Sequence, residues 1–186
     1  MKLYMLLLGC KPAGRNIEQH DIFFGIASSL KELIPDILNA WPEAENKIHI
    51  DAWREIDYVD GYRVQVYPKN EIVSFSKEEK VKLFFINLGG YKENEFEEFH
   101  YKMIIACENK SVAIQRAKQS AFYKHTGFKG ATSHIDDKYG VDLDDIFEIE
   151  DILSPQLKEK YGLIFSAAVN VNEDKLNMGY FRLDKL

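Results

Sequence analysis

The chain repeats part of its own sequence at an offset of 80 residues, and this repeat limits the folds available to it. Residues 2–9 read KLYMLLLG, and residues 82–89 read KLFFINLG. Two copies are too few for a repeat array, which needs about three or more units to bury a continuous core. We therefore expect two similar units that pack about a pseudo-twofold axis and share one core.

The repeat also links residues beyond this first segment. The corresponding pairs are Glu18 with Glu98, His20 with His100, His49 with His134 and Asp51 with Asp136. The first two pairs are 80 residues apart and the last two are 85 residues apart, so the second copy contains an insertion. We place it near residues 124–131, where KHTGFKGA has the composition of a loop.

The first ten residues, MKLYMLLLGC, resemble a lipoprotein cleavage signal, but two observations favour a strand. The apolar run at residues 3–8 is shorter than the hydrophobic region of a signal peptide, which needs at least about seven residues. The same segment recurs in mid-chain, where cleavage would have no purpose. Residues 2–8 are therefore predicted to form the first strand. No stretch approaches the roughly 20 apolar residues of a membrane span.

Each copy reads as strand, strand, helix, strand, strand. In copy one, the apolar segment 17–27 is predicted to be the second strand, and Ser29 with Glu32 forms a capping-box pattern before a helix. Pro35 lies inside this helical pattern, so the helix is kinked or begins later than the cap indicates. In copy two, Asn109 is the predicted cap of the equivalent helix.

The last two strands of copy one read as a hairpin. Residues 47–56 and 62–67 are separated by Asp60-Gly61, a strong turn dipeptide. We therefore predict an α+β fold of two strand-strand-helix-strand-strand units about a pseudo-twofold, followed by a C-terminal β-hairpin. The predicted single domain consists of copy one at 1–68, a linker at 69–80, copy two at 81–152 and the C-terminal hairpin at 153–186.

Charge and cysteine content exclude several classes of protein. The chain has 24 basic and 30 acidic side chains, and a net charge of −6 disfavours nucleic acid as a partner. Its two cysteines are too few for a disulfide scaffold, so we expect reduced thiols in a cytoplasmic protein. Neither GxGxxG nor a phosphate-binding loop occurs, and Gly9, Gly89 and Gly90 are expected to be turn residues.

Four of the five histidines occupy repeat-equivalent positions, each two residues from a carboxylate. Residues i and i+2 of a strand project from the same face, so each histidine and its carboxylate can project together. Two imidazoles and two carboxylates converge if the strands of one copy approach one another. The candidate site residues are Glu18, His20, His49, Asp51 and Trp53 in copy one, and Glu98, His100, His134 and Asp136 in copy two.

This set of side chains has three interpretations. Glu18, His20, His49 and Asp51 suit a divalent metal such as zinc, manganese or iron. A histidine oriented by a carboxylate also suits proton transfer, and such pairs also satisfy buried hydrogen bonds in proteins without chemistry. We therefore expect a non-catalytic binding or interaction protein. The sequence does not decide whether it forms a homodimer. The alternative is a small metal-dependent or acid–base enzyme. The cofactor that these residues suit is a divalent metal.

Several strings in copy one resemble a small bacterial family that is known as a domain of unknown function. These strings are KLYMLLLG, GRNIEQHD, HIDAWREID and VDGYRVQV, and the family pattern runs from an LGG-type strand end through IExHD to HID…DGY. Copy two keeps the paired glycines and HID but lacks DGY, and copy one has Cys10 at the second glycine position. The resemblance implies a bacterial cytoplasmic protein and implies no activity.

Overall fold

The computed structural model describes residues 1–71, 81–120, 127–128, 131–132, 134–135, 146–169 and 172–186, with the backbone alone described for the short pieces between 127 and 135. The chain separates into two compact units. Unit 1 consists of Met1–Phe75 and Leu153–Leu186, and unit 2 consists of Ser76–Ile152. Strands predominate and pair antiparallel within each unit, which confirms the α+β class. The pseudo-twofold arrangement and the shared core stay predictions.

The described strands and helices are numbered along the chain. The strands are β1 (Lys2–Cys10), β2 (Gln19–Ala27), β3 (His49–Glu55), β4 (Tyr58–Val59), β5 (Tyr62–Pro68), β6 (Lys82–Tyr91), β7 (Glu98–Cys107), β8 (Gly127–Phe128), β9 (Ala131–Thr132), β10 (His134–Ile135), β11 (Ile146–Glu148), β12 (Tyr161–Ala167) and β13 (Asn177–Arg182). The helices are α1 (Ile34–Ala40), α2 (Lys110–Lys118), α3 (Ile149–Ile152) and α4 (Pro155–Lys160), with 3-10 turns at Leu30–Leu33, Pro42–Ala44, Lys69–Glu71 and Leu183–Lys185.

Unit 1 contains a four-stranded sheet in the order β13-β3-β1-β2 and a second sheet in the order β12-β5-β4. Alternate β1 side chains face the core, where Leu6, Leu8 and Cys10 pack in one buried cluster with Ile37 of α1 and Ile50 of β3. Full burial of a side chain such as leucine stabilises the fold by about 1.5–3 kcal/mol. The opposite β1 face, which includes Gly9, is left for other side chains.

The helix of unit 1 begins later than its capping pattern. The side chain of Ser29 makes no capping hydrogen bond, and the Glu32 carboxylate instead accepts from the Ser28 backbone N–H at 3.0 Å and its hydroxyl at 2.7 Å. A 3-10 turn fills Leu30–Leu33, and α1 follows with Pro35 in its first turn. Proline is tolerated there because the N–H it lacks would have no partner within the helix.

The Asp60-Gly61 turn forms as predicted, but its first arm is short. Both residues have positive φ, 53° and 83°, which is the requirement of a type I′ turn. The turn joins β4 to β5, with Val59 opposite Tyr62, whereas the longer β3 pairs with β1 in the other sheet. The chain therefore changes sheets after β3.

The predicted C-terminal hairpin is wrong. Both C-terminal strands are present, but β12 pairs with β5 along its whole length and β13 pairs with β3. Each of these strands completes a different sheet of unit 1. An unpaired sheet edge presents a row of free N–H and C=O groups, and pairing with it satisfies more of them than a short local hairpin would.

In unit 2, β6 pairs with β7, β10 and β11. Its buried cluster includes Phe84, Ile86 and Leu88 from β6 and Ala113 from α2. The side chain of Asn109 caps α2 by accepting from the Val112 backbone N–H at 3.1 Å, which confirms the predicted cap. Within the described residues, no helix combines the length and apolar character that crossing a membrane requires.

Candidate functional site

A glycine in the middle strand separates two of the candidate histidines. Gly9 of β1 lies directly opposite His20 of β2 on one side and His49 of β3 on the other. Residues directly opposite each other in an antiparallel pair share a face, so the two imidazoles project on the same side of the sheet. A Cβ atom added to Gly9 would lie 2.5 Å from both His49 Nε2 and Asp51 Oδ2. The expectation that Gly9, Gly89 and Gly90 are turn residues is therefore wrong, because Gly9 lies within β1 under this cluster and the other two lie within β6.

Asp51 lies at an irregularity of the sheet. Leu7 and Leu8 are adjacent on β1 but pair with Ala52 and Ile50, so Asp51 is the extra residue of a β-bulge. The pairing of β3 with β13 shifts at the same place. A bulge redirects the side chains around it and is common beside functional sites. Here the carboxylate of Asp51 comes to lie beside both histidines.

The structure brings together the four side chains that were proposed as metal ligands. His49 Nε2 lies 3.1 Å from Glu18 Oε1 and 3.2 Å from Asp51 Oδ1. His20 Nε2 lies 3.3 Å from Asp51 Oδ2 and 3.8 Å from Glu18 Oε2. The four contacts form a closed ring in which imidazole nitrogens and carboxylates alternate.

Hydrogen bonding within the chain cannot satisfy this ring. Each Nε2 carries at most one hydrogen, so at most two of the four approaches can be hydrogen bonds. In the other two, a nitrogen without a second hydrogen faces a carboxylate oxygen. Asp51 Oδ2 is buried and has no hydrogen-bond partner among the described residues. A buried polar atom of this kind carries a free-energy cost unless a further ligand satisfies it.

One side of the ring is buried and the other is open. The side chain of His49 is 6% exposed and that of Asp51 is 27% exposed, whereas those of Glu18 and His20 are each 44% exposed. A small ion can therefore reach the ring past Glu18 and His20. As the side chains stand in the described part of the chain, no group of three or more His, Cys, Asp and Glu residues is arranged so that it could hold a metal ion.

Trp53 does not belong to this cluster. It is a candidate site residue in the sequence, two residues after Asp51, but it pairs with Leu6 and packs against the buried cluster of the core. Its ring centroid lies 6.3 Å from that of Tyr4. The bulge explains the difference, because one extra residue moves every following side chain to the other face.

The equivalent positions of unit 2 are described only in part. Gly89 of β6 lies opposite His100 of β7 on one side and His134 of β10 on the other. The Glu98 carboxylate accepts a hydrogen bond from the Tyr91 hydroxyl at 2.7 Å. The side chain of His134 and the whole of Asp136 lie outside the described residues.

Two further residues at the site come from β13. The ring of Tyr180 packs on that of His49, with centroids 4.2 Å apart and planes tilted by 30°. Arg182 lies directly opposite His49 in the strand pairing. No sequence pattern indicates either residue, because the C-terminal segment has no counterpart in copy one and its pairing with β3 is non-local.

Cys10 lies one residue from Gly9 but faces the core. It is fully buried, and its Sγ donates to the Ala44 carbonyl oxygen at 3.8 Å. Burial raises the pKa of this thiol above its ordinary value. The thiolate is the form that binds metals and attacks electrophiles, so burial disfavours both roles for Cys10.

Comparison with known proteins finds a similar family for one segment of the chain and a solved structure with the same fold. Residues 15–66 match the model of a Domain of Unknown Function (DUF1543). No curated protein matches the chain at a significant level. The crystal structure of a protein Il1583 from Idiomarina loihiensis matches over 98% of this chain and 97% of its own, with a TM-score of 0.54 and 22% identity. The chain thus shares its fold with Il1583 and is similar over residues 15–66 to DUF1543, whose description states no function.

Proposed function

We propose that the protein binds a divalent cation of the zinc class through Glu18, His20, His49 and Asp51. The observation that carries the proposal is the closed ring of nitrogen–oxygen approaches at 3.1, 3.2, 3.3 and 3.8 Å. Hydrogen bonds can account for two of these four contacts at most. A cation at the centre of the ring would satisfy all four donor groups at once.

The spacing of the ring supports a tetrahedral ion. Zinc binds imidazole nitrogen and carboxylate oxygen at about 2.0–2.2 Å, which sets neighbouring ligand atoms of a tetrahedron about 3.3–3.6 Å apart. The four observed approaches, which involve both oxygens of each carboxylate, span 3.1 to 3.8 Å and so include this spacing. Loading would require small rotations of the four side chains so that their donor atoms face one point rather than each other.

The local charge also supports a cation. Glu18 and Asp51 bring two carboxylates to the ring, where they form ion pairs with His20 and His49. A dication would offset both negative charges. Two imidazoles and two carboxylates favour zinc, with manganese and iron as the next candidates.

Gly9 provides the space in which His49 and Asp51 approach each other. A side chain at this position would fall within 2.5 Å of two of the donor atoms, so glycine is the residue that leaves the centre of the ring open. The same strand register, with histidines on both sides of a glycine, surrounds Gly89 in unit 2.

We further infer that the two copies arose by internal duplication. The matching registers around Gly9 and Gly89 support this inference, as does a pair of equivalent ion pairs. Lys2 Nζ pairs with Glu55 of β3, and Lys82 Nζ pairs with Glu148 of β11 at 2.7 Å. The homodimeric state and cytoplasmic location expected from the sequence remain predictions.

Zinc stoichiometry tests the proposed function. Protein is stripped with chelator, titrated with zinc chloride by calorimetry, and its bound zinc is counted by mass spectrometry of the metal. We expect His49→Gln and Glu18→Gln each to lose one bound ion per chain relative to the wild type. Glu43→Gln, an exposed carboxylate on a 3-10 turn, is the matched control and should bind as the wild type does.

The outcome that contradicts the proposal is equally clear. If the stripped wild type takes up no zinc, manganese or iron(II), and chelator leaves its melting temperature unchanged, the ring is not a metal site. If His49→Gln then also lowers the melting temperature, the structural interpretation of these histidine–carboxylate pairs is the correct one.

A further inference from the structure

An exposed tyrosine covers the most buried member of the histidine–carboxylate ring. Tyr180 of β13 is 69% exposed, whereas the side chain of His49 is 6% exposed. The centroids of their aromatic rings lie 4.2 Å apart and the ring planes are tilted by 30°, so the two rings pack with their faces towards each other. One face of the His49 imidazole is therefore covered by Tyr180.

The strand register places Tyr180 on the same face of the sheet as His49. Arg182 lies directly opposite His49, and Phe181 lies opposite Ile50. Phe181 packs against the buried cluster of the core, so its two neighbours in the chain, Tyr180 and Arg182, project from the other face. Tyr180 is thus a diagonal neighbour of His49, and aromatic side chains can reach such neighbours in an antiparallel pair.

A bulge in β13 lies at Tyr180 itself. In the pairing of β13 with β3, Gly179 and Tyr180 both face the single residue Asp51. Gly179 has a φ of 147°, a backbone conformation that residues with a side chain rarely adopt. Bulges redirect the side chains around them. The glycine therefore permits the bulge from which Tyr180 reaches His49.

The orientation of the His49 imidazole decides whether it can bind a metal. Its Nε2 is the atom that faces Glu18 and Asp51. The torsion about the Cβ–Cγ bond of histidine is broad and roughly two-fold, so the torsion itself does not select one orientation of the imidazole. A half-turn about this bond would place Cε1 where Nε2 lies and remove the donor atom from the ring. Histidines that bind metals are accordingly held in orientation by groups outside the ligand set.

Among the side chains that β13 places near His49, that of Tyr180 is suited to hold the imidazole. The guanidinium of Arg182 donates two hydrogen bonds to Asp184, at 2.9 and 2.8 Å, and is therefore engaged with that carboxylate. Met178 pairs with Ala52 and is exposed. The contact with Tyr180 lies on the face of the imidazole, so it leaves Nε2 free for a metal.

We propose that Tyr180 is a positioning residue of the metal site, which packs on the imidazole of His49 and keeps its Nε2 directed towards the centre of the histidine–carboxylate ring. The inference rests on the proposed function, because Tyr180 acts on the metal only through His49. The contact is made by the face of the tyrosine ring, so a phenylalanine at this position should have the same effect and an alanine should not.

Proton NMR of the metal-free protein tests the contact between the two rings. Protons that lie over the face of an aromatic ring are shifted upfield by its ring current. The imidazole signals of His49 are identified by their absence in His49→Gln. We expect Tyr180→Ala to move these signals downfield and Tyr180→Phe to leave them where they are. Signals that do not move in Tyr180→Ala would overturn the inference.

Zinc affinity, measured by competition with a chelator, tests what the contact does. Tyr180→Ala should still bind one zinc ion per chain but about two- to ten-fold more weakly, the range that the loss of one aromatic pair explains. Tyr180→Phe should bind zinc as the wild type does. Met178→Ala removes another exposed apolar side chain from β13, so it is the matched control and should leave the zinc affinity unchanged.

The outcomes separate this inference from the proposed function. If the wild type binds zinc and Tyr180→Ala binds it equally tightly, Tyr180 is not a positioning residue and the metal site stands. The inference is also wrong if Tyr180→Phe loses as much affinity as Tyr180→Ala, because the hydroxyl would then be the active group. An equal loss in Met178→Ala would assign the effect to the strand as a whole and overturn the inference. If the wild type takes up no metal, the proposed function and the inference both fail.

Discussion

Gly9 on β1 lies directly opposite His49 on β3, and the absence of a side chain on Gly9 leaves the space into which the imidazole and the Asp51 carboxylate project. The register of the paired strands therefore places the candidate site residues next to one another. Each of β1, β2 and β3 contributes one residue to a single row, and the bulge adds Asp51 to it.

Gly9→Ala tests this relationship. The added methyl would lie 2.5 Å from His49 Nε2 and Asp51 Oδ2, so either these side chains or the strand must move. We expect the loss of one bound zinc ion per chain and a decrease in the free energy of unfolding of about 1–3 kcal/mol, as for other overpacked sites. Circular dichroism establishes that the variant is folded. Zinc binding equal to that of the wild type would contradict the account.

Trp53→Phe tests the assignment of faces. Because Trp53 packs on the core side of β3, its replacement should leave zinc affinity unchanged. The smaller ring leaves unfilled volume in the core, but it also removes an indole N–H that is buried with no hydrogen-bond partner among the described residues. We therefore expect the free energy of unfolding to decrease by about 1–2 kcal/mol. Urea denaturation and zinc titration give the two readouts. A loss of zinc affinity without a loss of stability would show that Trp53 belongs to the metal site.

Asp174 should make unit 1 less stable as pH rises. Burial raises the pKa of its carboxyl above the ordinary 3.8, and this exceeds the opposing effect of hydrogen bonds from the Tyr58 and Asp57 backbone N–H groups. The unfolded chain releases this proton at lower pH than the folded chain does. The contribution of Asp174 to the free energy of unfolding therefore falls as pH rises from 3.8 through the folded-state pKa.

The measurement compares urea unfolding of the wild type and Asp174→Asn from pH 3.5 to pH 7. The stability difference, wild type minus variant, should decrease with rising pH. Asp184→Asn is the control of opposite sign, since hydrogen bonds from Arg182 lower the pKa of Asp184 and its contribution is lost as pH falls. If the stability difference between wild type and Asp174→Asn stays constant or increases with pH, burial is not the main influence on the pKa of Asp174.

The structural features that the sequence predicts correctly depend on interactions between residues that are close together in the chain. The apolar run at residues 2–8 predicts β1, the Asp60-Gly61 dipeptide predicts its turn, and Asn109 predicts the cap of α2. Each of these features depends on residues close together in the chain. The repeat likewise singled out the histidines and carboxylates, and spacing of i and i+2 indicated that each pair could share a face.

The features that sequence patterns missed are non-local. The bulge at Asp51 arises from how β1 and β13 pair with β3, and it reverses the face of Trp53. The C-terminal strands resemble a hairpin in sequence, yet each completes a different sheet. Tyr180 therefore reaches His49 from a segment that carries no repeat signal.

The most direct test of the metal site is a crystal structure of the zinc-loaded protein with anomalous data collected at the zinc edge. The account predicts an anomalous peak within about 2.0–2.2 Å of the Nε2 atoms of His20 and His49 and of one carboxylate oxygen each from Glu18 and Asp51. A zinc-loaded crystal with no peak inside this ring, or with the four side chains still contacting each other directly, would contradict it.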